Sequence, residues 1–309
     1  MRTAVKIHHD ESPAEAWTHI LQEQGWCIIP NLIAIETVQA LHADLDERFE
    51  KTPFCDGDFY GPRTKRFGSL LKRSVHAEAF ARHPVILDIA DRILLPHCDN
   101  YQINLTQALA LYPGAPMQAP HRDQDMWRGP TGEIEYLINV MWPFTDYRSD
   151  NGATLLWSGS HRREGEDIID LSEASAAEMD PGSALVFLGS TLHGAGANRA
   201  DRVRRGMVIS YCLGWLKPYE NQWLAYPPAV ARTFSPELAA LAGYRQHRPN
   251  LGNYEGRCPS ILLQQEISEY LGAADEMRPD QAADIALFAA EQTSSALIAN
   301  QGKTWISRD

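Results

Sequence analysis

The 309-residue sequence lacks any apolar run that approaches the roughly 18 residues of a membrane-spanning helix. Its first residues, MRTAVKIHHDESP, also lack the apolar segment of a secretory signal. The five cysteines are odd in number, widely spaced and without a CxxC pair, which argues against a disulfide framework and against a thiolate zinc site. Together these absences predict a cytoplasmic protein.

Positive charge is also scarce, since 28 Lys and Arg residues face 40 Asp and Glu residues and the net charge is −12. This balance disfavours non-specific binding to nucleic acid or to an anionic membrane. We find neither an internal repeat nor a low-complexity tract. A content of 44% hydrophobic and 22% charged residues is typical of a globular chain. Because no convincing linker divides it, the sequence predicts one domain over residues 1–309. It leaves the oligomeric state open.

The N-terminal part, residues 1–100, is predicted to be mainly helical. Ser12, Pro13 and Glu15 form a capping-box start for a helix that ends near Gln24. Further helices are predicted from Ile35 and from Pro84 to Leu95 by the spacing of their apolar residues. Residues 51–75 mix aromatic, glycine and basic residues and are predicted to be a loop, either a mobile lid or a plain surface connection.

From Tyr101 onward the texture changes to short β-like runs. These runs are YQINLTQALALY, EIEYLINVMWPF, GATLLWS, GSALVFLG and RRGMVISYCLGW. Because they have long connections without intervening amphipathic helices, they favour a sandwich or jelly roll over βαβ units. We therefore expect a mainly β core over residues 101–216. Residues 217–309 are predicted to be helical again, in PYENQWLAY and between Pro279 and Asn300.

Three side chains of this β region form a candidate metal site. His121 and Asp123 stand two positions apart in APHRDQD, which places both side chains on one face of an extended chain. His193 ends the apolar run GSALVFLGSTLH. Two imidazoles and one carboxylate are the facial triad of non-haem Fe(II) oxygenases, although such a site also binds Mn, Co, Ni or Zn.

A basic cluster follows the second histidine. A hairpin folded about Asn198 and Arg199 would place Arg204 opposite His193, on the metal side. A guanidinium in that position could bind the distal carboxylate of a 2-oxo acid that chelates the metal. The alternative is a solvated basic turn.

Three ordered blocks, HRD, DNGATLLWSGSHR and DPGSALVFLGSTLHGAGANRADRVRRGMVISY, resemble the phytanoyl-CoA dioxygenase (PhyH-like) family of Fe(II)/2-oxoglutarate dioxygenases. The resemblance is strongest from Tyr101 to Leu216. ENQWLAYPP and the helical N-terminus resemble the subgroup that modifies secondary metabolites. The resemblance implies a double-stranded β-helix (jelly roll, cupin-like) with helical N- and C-terminal additions.

The resemblance also implies roles for individual residues. His121, Asp123 and His193 would be the catalytic iron ligands, and Arg204 would bind the distal carboxylate of 2-oxoglutarate. Thr154 and Gln118 match family positions that contact the co-substrate, although Thr154 could be an ordinary strand residue and Gln118 could cap the turn before Pro120. The histidine of the GSH block, His161, is expected to be structural.

The implied activity is oxidation of a hydrophobic small molecule with Fe(II), 2-oxoglutarate and O2. Products would arise by hydroxylation, desaturation or a related C–H oxidation, with release of succinate and CO2. Related iron halogenases have a small residue at the carboxylate position, so Asp123 disfavours halogenation. The resemblance favours a natural-product substrate over an acyl-CoA, and the substrate residues that we predict are Tyr60, Trp127 and Trp223.

Further aromatic or soft residues are expected near the cavity mouth, namely Phe59, Met126, Trp142 and Trp215. Two other functions stay open at this point. One is a cupin-like metal enzyme that is independent of 2-oxoglutarate, for which Arg204 would be dispensable. The other is a non-catalytic jelly roll that only binds a small molecule.

Overall fold

The computed structural model of the chain describes residues 13–130, 132–163 and 169–293. It separates into two compact units, the first ending at Ala242 and the second beginning at Gly243. One domain over residues 1–309 stays a prediction.

The β-strands of the described residues belong to two antiparallel sheets. In chain order the strands are β1 (Trp26–Ile29), β2 (Thr64–Gly68), β3 (Tyr101–Leu111), β4 (Leu137–Pro143), β5 (Thr154–Leu156), β6 (Ser175–Ala176), β7 (Ala184–Leu188), β8 (His193–Ala195) and β9 (Arg204–Leu213). The larger sheet has the order β1-β7-β4-β9-β3-β2, and the smaller has the order β6-β5-β8. All five β-like runs of the sequence contain a strand, and the predicted fold class, a β core with flanking helices, is confirmed.

Along the chain, the helices occur before β3 and after β9. They are α1 (Pro13–Gln24), α2 (Ile35–Lys51), α3 (Ala77–Ala81), α4 (Pro84–Leu94), α5 (Gln222–Ala225), α6 (Pro228–Ala231), α7 (Pro236–Leu241) and α8 (Pro279–Thr293), the last of which belongs to the second unit. The three predicted N-terminal helices are confirmed, whereas the capping residue Ser12 and residues 294–300 lie outside the described residues. Within the described part of the chain, no helix is both long and apolar enough to cross a membrane.

Alternation along the central strands gives the larger sheet two different faces. In β4, Ile138, Val140 and Trp142 join the core that the N-terminal helices cover. Met141 points the other way and packs with residues of the smaller sheet. Because successive side chains of a strand point to opposite faces, Asn139 shares the face of Met141. The side of the large sheet that faces the small one therefore carries the polar side chains available for a site.

The predicted loop over residues 51–75 is partly wrong. Residues Thr64–Gly68 form β2, which pairs with Gln107–Leu111 of β3 at the edge of the large sheet. A short 3₁₀ turn, Leu70–Lys72, follows it. The segment TKRFG is short and charged, so its strand conformation depends on pairing with β3 rather than on its own hydrophobic pattern.

Trp142 does not lie at a cavity mouth, as we expected from the sequence. It is 1% exposed and packs in the helix-covered core, with its ring 5.1 Å from that of Phe80 and 6.1 Å from that of His83. The expectation was wrong because alternation along β4 turns residue 142 toward the helices.

We predict that Trp142→Ala lowers the free energy of unfolding by about 3–5 kcal/mol, because it leaves a large cavity in a close-packed core. Chemical denaturation measures this change. Leu224→Ala is the control, since Leu224 is 78% exposed and a surface change is worth about 0.5 kcal/mol or less. Equal effects of the two variants would contradict the assignment of Trp142 to the core.

Candidate metal centre and its cavity

His121 and His193 lie directly opposite each other on two antiparallel segments. The backbone N–H of His121 donates to the carbonyl oxygen of His193 at 2.9 Å, and the reverse bond measures 3.0 Å. Residues that exchange both bonds project their side chains to the same face, and the two ring centroids are 4.4 Å apart. Gly194 keeps these segments close, since a Cβ there would lie 3.0 Å from the carbonyl oxygen of Gln118.

Asp123 completes the group from the first residue of a 3₁₀ turn, Asp123–Met126. Its Oδ1 lies 3.4 Å from Nε2 of His121, and its Oδ2 lies 3.5 Å from Nε2 of His193. One ligand atom from each of the three residues lies within 4.8 Å of the others. The three side chains predicted from the sequence therefore converge on one point.

The backbone orients both imidazoles for metal binding. Nδ1 of His121 lies 2.9 Å from the carbonyl oxygen of Ala119, and Nδ1 of His193 lies 3.0 Å from that of Thr191. Because a carbonyl oxygen only accepts, each Nδ1 carries the proton and donates, which leaves the lone pair on Nε2. Both lone pairs thus face Asp123.

The electrostatics of the group favour an ionised aspartate. Burial opposes the charge on Asp123, but the neighbouring His193 and His121 outweigh it and hold the pKa of Asp123 far below its usual range. Burial lowers the pKa of His193, but the charge of Asp123 and its hydrogen bond outweigh this and raise that pKa. A divalent cation at the same point would supply the positive charge that the protonated imidazole otherwise provides.

A cavity of about 100 Å³ opens beside the three candidate ligands. Its wall includes Asp123 and His193 together with the predicted co-substrate residues Gln118, Thr154 and Arg204. Gln118 is tied to β8, since its Oε1 accepts a hydrogen bond from the backbone N–H of Ala195 at 3.2 Å. The three predicted co-substrate residues therefore line one cavity. Their contacts with a co-substrate stay a prediction.

Arg204 is the buried cation of this cavity. It is 1% exposed, and its guanidinium lies over the ring of Tyr147 at 4.2 Å from the ring centroid. Among the described residues, its Nε and Nη1 have no hydrogen-bond partner. Burying a charge without a paired anion is costly, so the geometry fits an anionic group that enters the cavity.

The hairpin that we used to place Arg204 is wrong. His193 lies in β8, which pairs with β5 in the small sheet, whereas Arg204 begins β9 and pairs with Leu111 of β3 in the large sheet. The two residues face the same cavity from opposite sheets. Residues 196–203 connect β8 of the small sheet to β9 of the large sheet, in place of the tight turn that we predicted.

Arg66 is a cavity residue whose place in this site the sequence analysis missed. It lies on β2, and its Nη1 donates to Oε1 of Gln107 at 3.1 Å while its Nε has no partner among the described residues. Its guanidinium lies 5.0 Å from the ring centroid of Tyr60. Alternation in TKRFG is a signal that separates Arg66 from Lys65 and Phe67, but the mixed composition of residues 51–75 predicts a loop.

The predicted substrate residues lie in different places. Tyr60 lines the cavity, as do Phe59 and Met126. Trp127 and Trp223 are not among the described residues that form its wall, and the indole N–H of Trp127 donates to the carbonyl oxygen of Lys217 at 2.9 Å. Trp215, which we also expected at the mouth, donates to the carbonyl oxygen of His97 at 3.0 Å. His161 is buried outside the cavity and bonds the carbonyl oxygen of Gln22 at 3.0 Å.

We predict that His193→Ala weakens Ni(II) binding by more than about 100-fold, beyond the loss expected for a residue that only supports a ligand. Calorimetric titration of the metal-free protein measures the affinity. His97→Ala is the control, because His97 is exposed and is not among the residues that line the cavity. Equal affinities of the two variants would show that the three side chains do not bind metal together.

Glu135 is a second half-buried carboxyl group, beside Ser190 in the segment that leads to His193. Burial raises its pKa from the ordinary 4.5 to about 7, although a hydrogen bond from Ser190 opposes the shift. Ser190 Oγ donates to Glu135 Oε1 at 2.5 Å, while Oε2 has no partner in the described part of the chain. A carboxyl with a raised pKa favours its protonated form in the folded state.

We predict that Glu135→Gln flattens the dependence of stability on pH. Both proteins should be similarly stable near pH 4.5, whereas the wild type should lose up to about 3 kcal/mol relative to the variant as pH rises to about 7. The sign follows because only the unfolded carboxyl ionises freely in this interval. Denaturation at about pH 5 and about pH 8 tests this, and parallel curves for the two proteins would refute it.

Comparison with known proteins agrees with this geometry. The sequence profile of the family described as Phytanoyl-CoA dioxygenase (PhyH) matches residues 21–206. Dioxygenase trt7 of Aspergillus terreus is 31% identical over 251 residues, which cover 78% of this chain and 87% of that protein. Dioxygenase olcK of Penicillium canescens is 29% identical over 254 residues, covering 78% and 84%.

Solved structures share the fold at lower identity. The non-heme alpha ketoglutarate dependent epimerase SnoN from nogalamycin biosynthesis has a TM-score of 0.55 at 18% identity, over 65% of this chain and 81% of that chain. HygX from Streptomyces hygroscopicus, solved with nickel and 2-oxoglutarate bound, has a TM-score of 0.53 at 14% identity, over 65% and 88%. With the family profile matching more than half of the chain, the protein belongs to the phytanoyl-CoA dioxygenase (PhyH) family.

Proposed function

We propose that the protein is an Fe(II)/2-oxoglutarate-dependent dioxygenase that oxidises a hydrophobic small molecule, with release of succinate and CO2. The observation that carries this proposal is that the His–Asp–His group and the buried guanidinium of Arg204 face one cavity. Two of the three guanidinium nitrogens have no hydrogen-bond partner among the described residues. A metal site alone would not need that cation. A cation and a metal in one cavity suit a co-substrate that chelates through one end and carries a carboxylate at the other.

The donor set fits Fe(II). His121 and His193 would bind through Nε2 and Asp123 through a carboxylate oxygen, which is the facial arrangement of non-haem iron oxygenases. The backbone bonds to both Nδ1 atoms fix the imidazoles before the metal arrives. When bound, iron and 2-oxoglutarate supply the oxidising chemistry, and the protein holds and shields them.

The polar wall fits 2-oxoglutarate. Arg204 would bind the distal carboxylate, with the ring of Tyr147 supporting the guanidinium from behind. Arg66 gives the same cavity a second cation, which suits a co-substrate with two carboxylates. Gln118 and Thr154 lie on the small-sheet side of the cavity and would contribute neutral hydrogen-bonding groups.

The remaining wall indicates the substrate class. Phe59, Met126 and Phe187 form an apolar part of the cavity wall. The ring of Phe59 packs against that of His121, with 4.8 Å between the centroids. The hydroxyl groups of Tyr60 and Tyr219 contact each other. We expect a largely hydrophobic substrate with an oxygen function that these phenols bind, and the outcome to be hydroxylation, desaturation or a related C–H oxidation.

Several relatives support a natural-product substrate. Dioxygenases trt7 and olcK are related in sequence, and the structurally similar epimerase SnoN and carbocyclase SnoK come from nogalamycin biosynthesis. Contacts of Trp127 and Trp223 with the substrate stay predictions, as does a cytoplasmic location.

The test is an anaerobic titration of the metal-free protein with Fe(II) and then 2-oxoglutarate. We expect the visible metal-to-ligand charge-transfer band of the chelate in the wild type and its loss in His121→Ala. Arg204→Ala should keep the metal but bind 2-oxoglutarate about 10- to 100-fold more weakly, because a charge-assisted pair is lost.

Arg202→Ala is the matched control. Arg202 lies in the same basic stretch, but its side chain is 44% exposed and pairs with Asp150 at 3.2 Å. Iron binding without a charge-transfer band would reject the 2-oxoglutarate function and favour a cupin-like metal enzyme. Equal effects of the Arg202 and Arg204 variants would remove Arg204 from the co-substrate site.

A further inference from the structure

Asp123 holds both of its carboxylate oxygens toward the metal point. Oδ1 lies near His121 and Oδ2 near His193, at 3.4 and 3.5 Å from the respective Nε2 atoms. Nothing in this arrangement of the three ligands decides whether one oxygen or both would bind a metal. Asp123 begins a 3₁₀ turn rather than standing in a strand, so sheet alternation does not fix its side chain either.

Asn139 distinguishes the two oxygens. Its Nδ2 donates a hydrogen bond to Oδ2 of Asp123 at 3.0 Å. The amide donor does not depend on a proton carried by either histidine, so this bond is compatible with both imidazoles binding a cation. It occupies Oδ2 and makes Oδ1 the freer donor atom.

Asn139 itself is rigidly placed. It is 1% exposed, and it lies in β4 between Phe187 of β7 and Ser210 of β9. A side chain in the middle of a sheet has little freedom to follow a moving carboxylate. A buried amide is also costly unless it is hydrogen-bonded, so its presence on this face indicates that it has a polar group to serve.

The number of oxygens that Asp123 offers decides how much of the metal remains open. Three protein donor atoms leave three positions on an octahedral cation, enough for a two-point chelate and one further ligand. A second oxygen from Asp123 would take one of them. The distinction therefore affects 2-oxoglutarate and O2 more than it affects the metal itself.

We infer that Asn139 is a positioning residue that keeps Asp123 a one-oxygen ligand and thereby preserves the third open position. The inference rests on the proposed function for its consequence, but its effect on metal geometry is independent of 2-oxoglutarate. Asn139 would act through its hydrogen bond to Asp123.

The experiment uses the full chain loaded with Co(II), a redox-stable probe with a coordination-sensitive absorption spectrum. Asn139→Leu removes the donor and keeps the same number of side-chain heavy atoms in the same branched shape. Asn139→Thr replaces the amide with a shorter hydroxyl side chain in a residue that strands tolerate. We expect each folded variant to bind Co(II) about 10- to 100-fold more weakly than the wild type, which is the range for loss of a residue that supports a ligand. We also expect the variants to have an altered Co(II) spectrum. Their affinity for added 2-oxoglutarate should be lower than that of the wild type.

Ser210→Ala is the control, because Ser210 is a buried polar neighbour of Asn139 across the ladder and its hydroxyl accepts from Asn104. It should leave the Co(II) spectrum unchanged. If Asn139→Leu does not fold, Asn139→Thr carries the test. A wild-type spectrum and wild-type affinities in a folded Asn139 variant would overturn the inference, since a merely structural role would lower only stability.

The two proposals fail in different ways. If the Co(II) spectrum responds to Asn139 but the wild type does not bind 2-oxoglutarate, the positioning role survives and the dioxygenase function fails. If the wild type binds 2-oxoglutarate and the Asn139 variants match it in spectrum and affinity, only the positioning role is rejected.

Discussion

The pair of backbone hydrogen bonds between His121 and His193 determines the geometry of the site. It joins two segments that are far apart in sequence and places their side chains on one face. The same ladder continues to Gln118, whose backbone N–H donates to the carbonyl oxygen of Ala195 at 2.9 Å. Because the main chain makes these connections, the two imidazoles are held in place before any ligand binds.

The large sheet performs the complementary task. One face packs on the helices with residues such as Val140 and Trp142, and the other carries Asn139 and Arg204 toward the cavity. A run of buried residues in β4 thus serves two environments through simple alternation. The candidate metal ligands come mostly from the small sheet and its neighbouring segments, whereas the large sheet supplies Asn139 and Arg204, to which we assign the roles of orienting and neutralising.

The sequence predicted the chemistry better than the connections. His121, Asp123 and His193 could be recognised as candidate ligands because the sequence blocks around them resemble those of one family. The hairpin to Arg204 was wrong because sequence spacing cannot tell a tight turn from a crossing between sheets. Arg66 was missed for a related reason: the conformation of β2 depends on its pairing with β3, and non-local pairing leaves little trace in five residues.

Asn139 and Tyr219 could not be identified from the sequence because each contacts a partner that is remote in the chain, Asp123 for Asn139 and Tyr60 for Tyr219. A buried Asn in an apolar strand is unremarkable until Asp123 is found beside it. The hydrophobic residues of the cavity had the opposite difficulty. Trp142 is a residue type expected in a hydrophobic substrate pocket. The direction of its side chain, however, depends on strand register rather than on residue type.

The burial of Arg204 affects the stability of the folded protein as well as its chemistry. A guanidinium without an anion burdens the folded state, and a bound carboxylate relieves that burden only in the folded state. Any ligand that binds only the folded chain shifts the folding equilibrium in proportion to the logarithm of its concentration. The protein should therefore persist longer where its co-substrate is abundant, so that metabolite supply would govern the amount of enzyme in addition to its turnover.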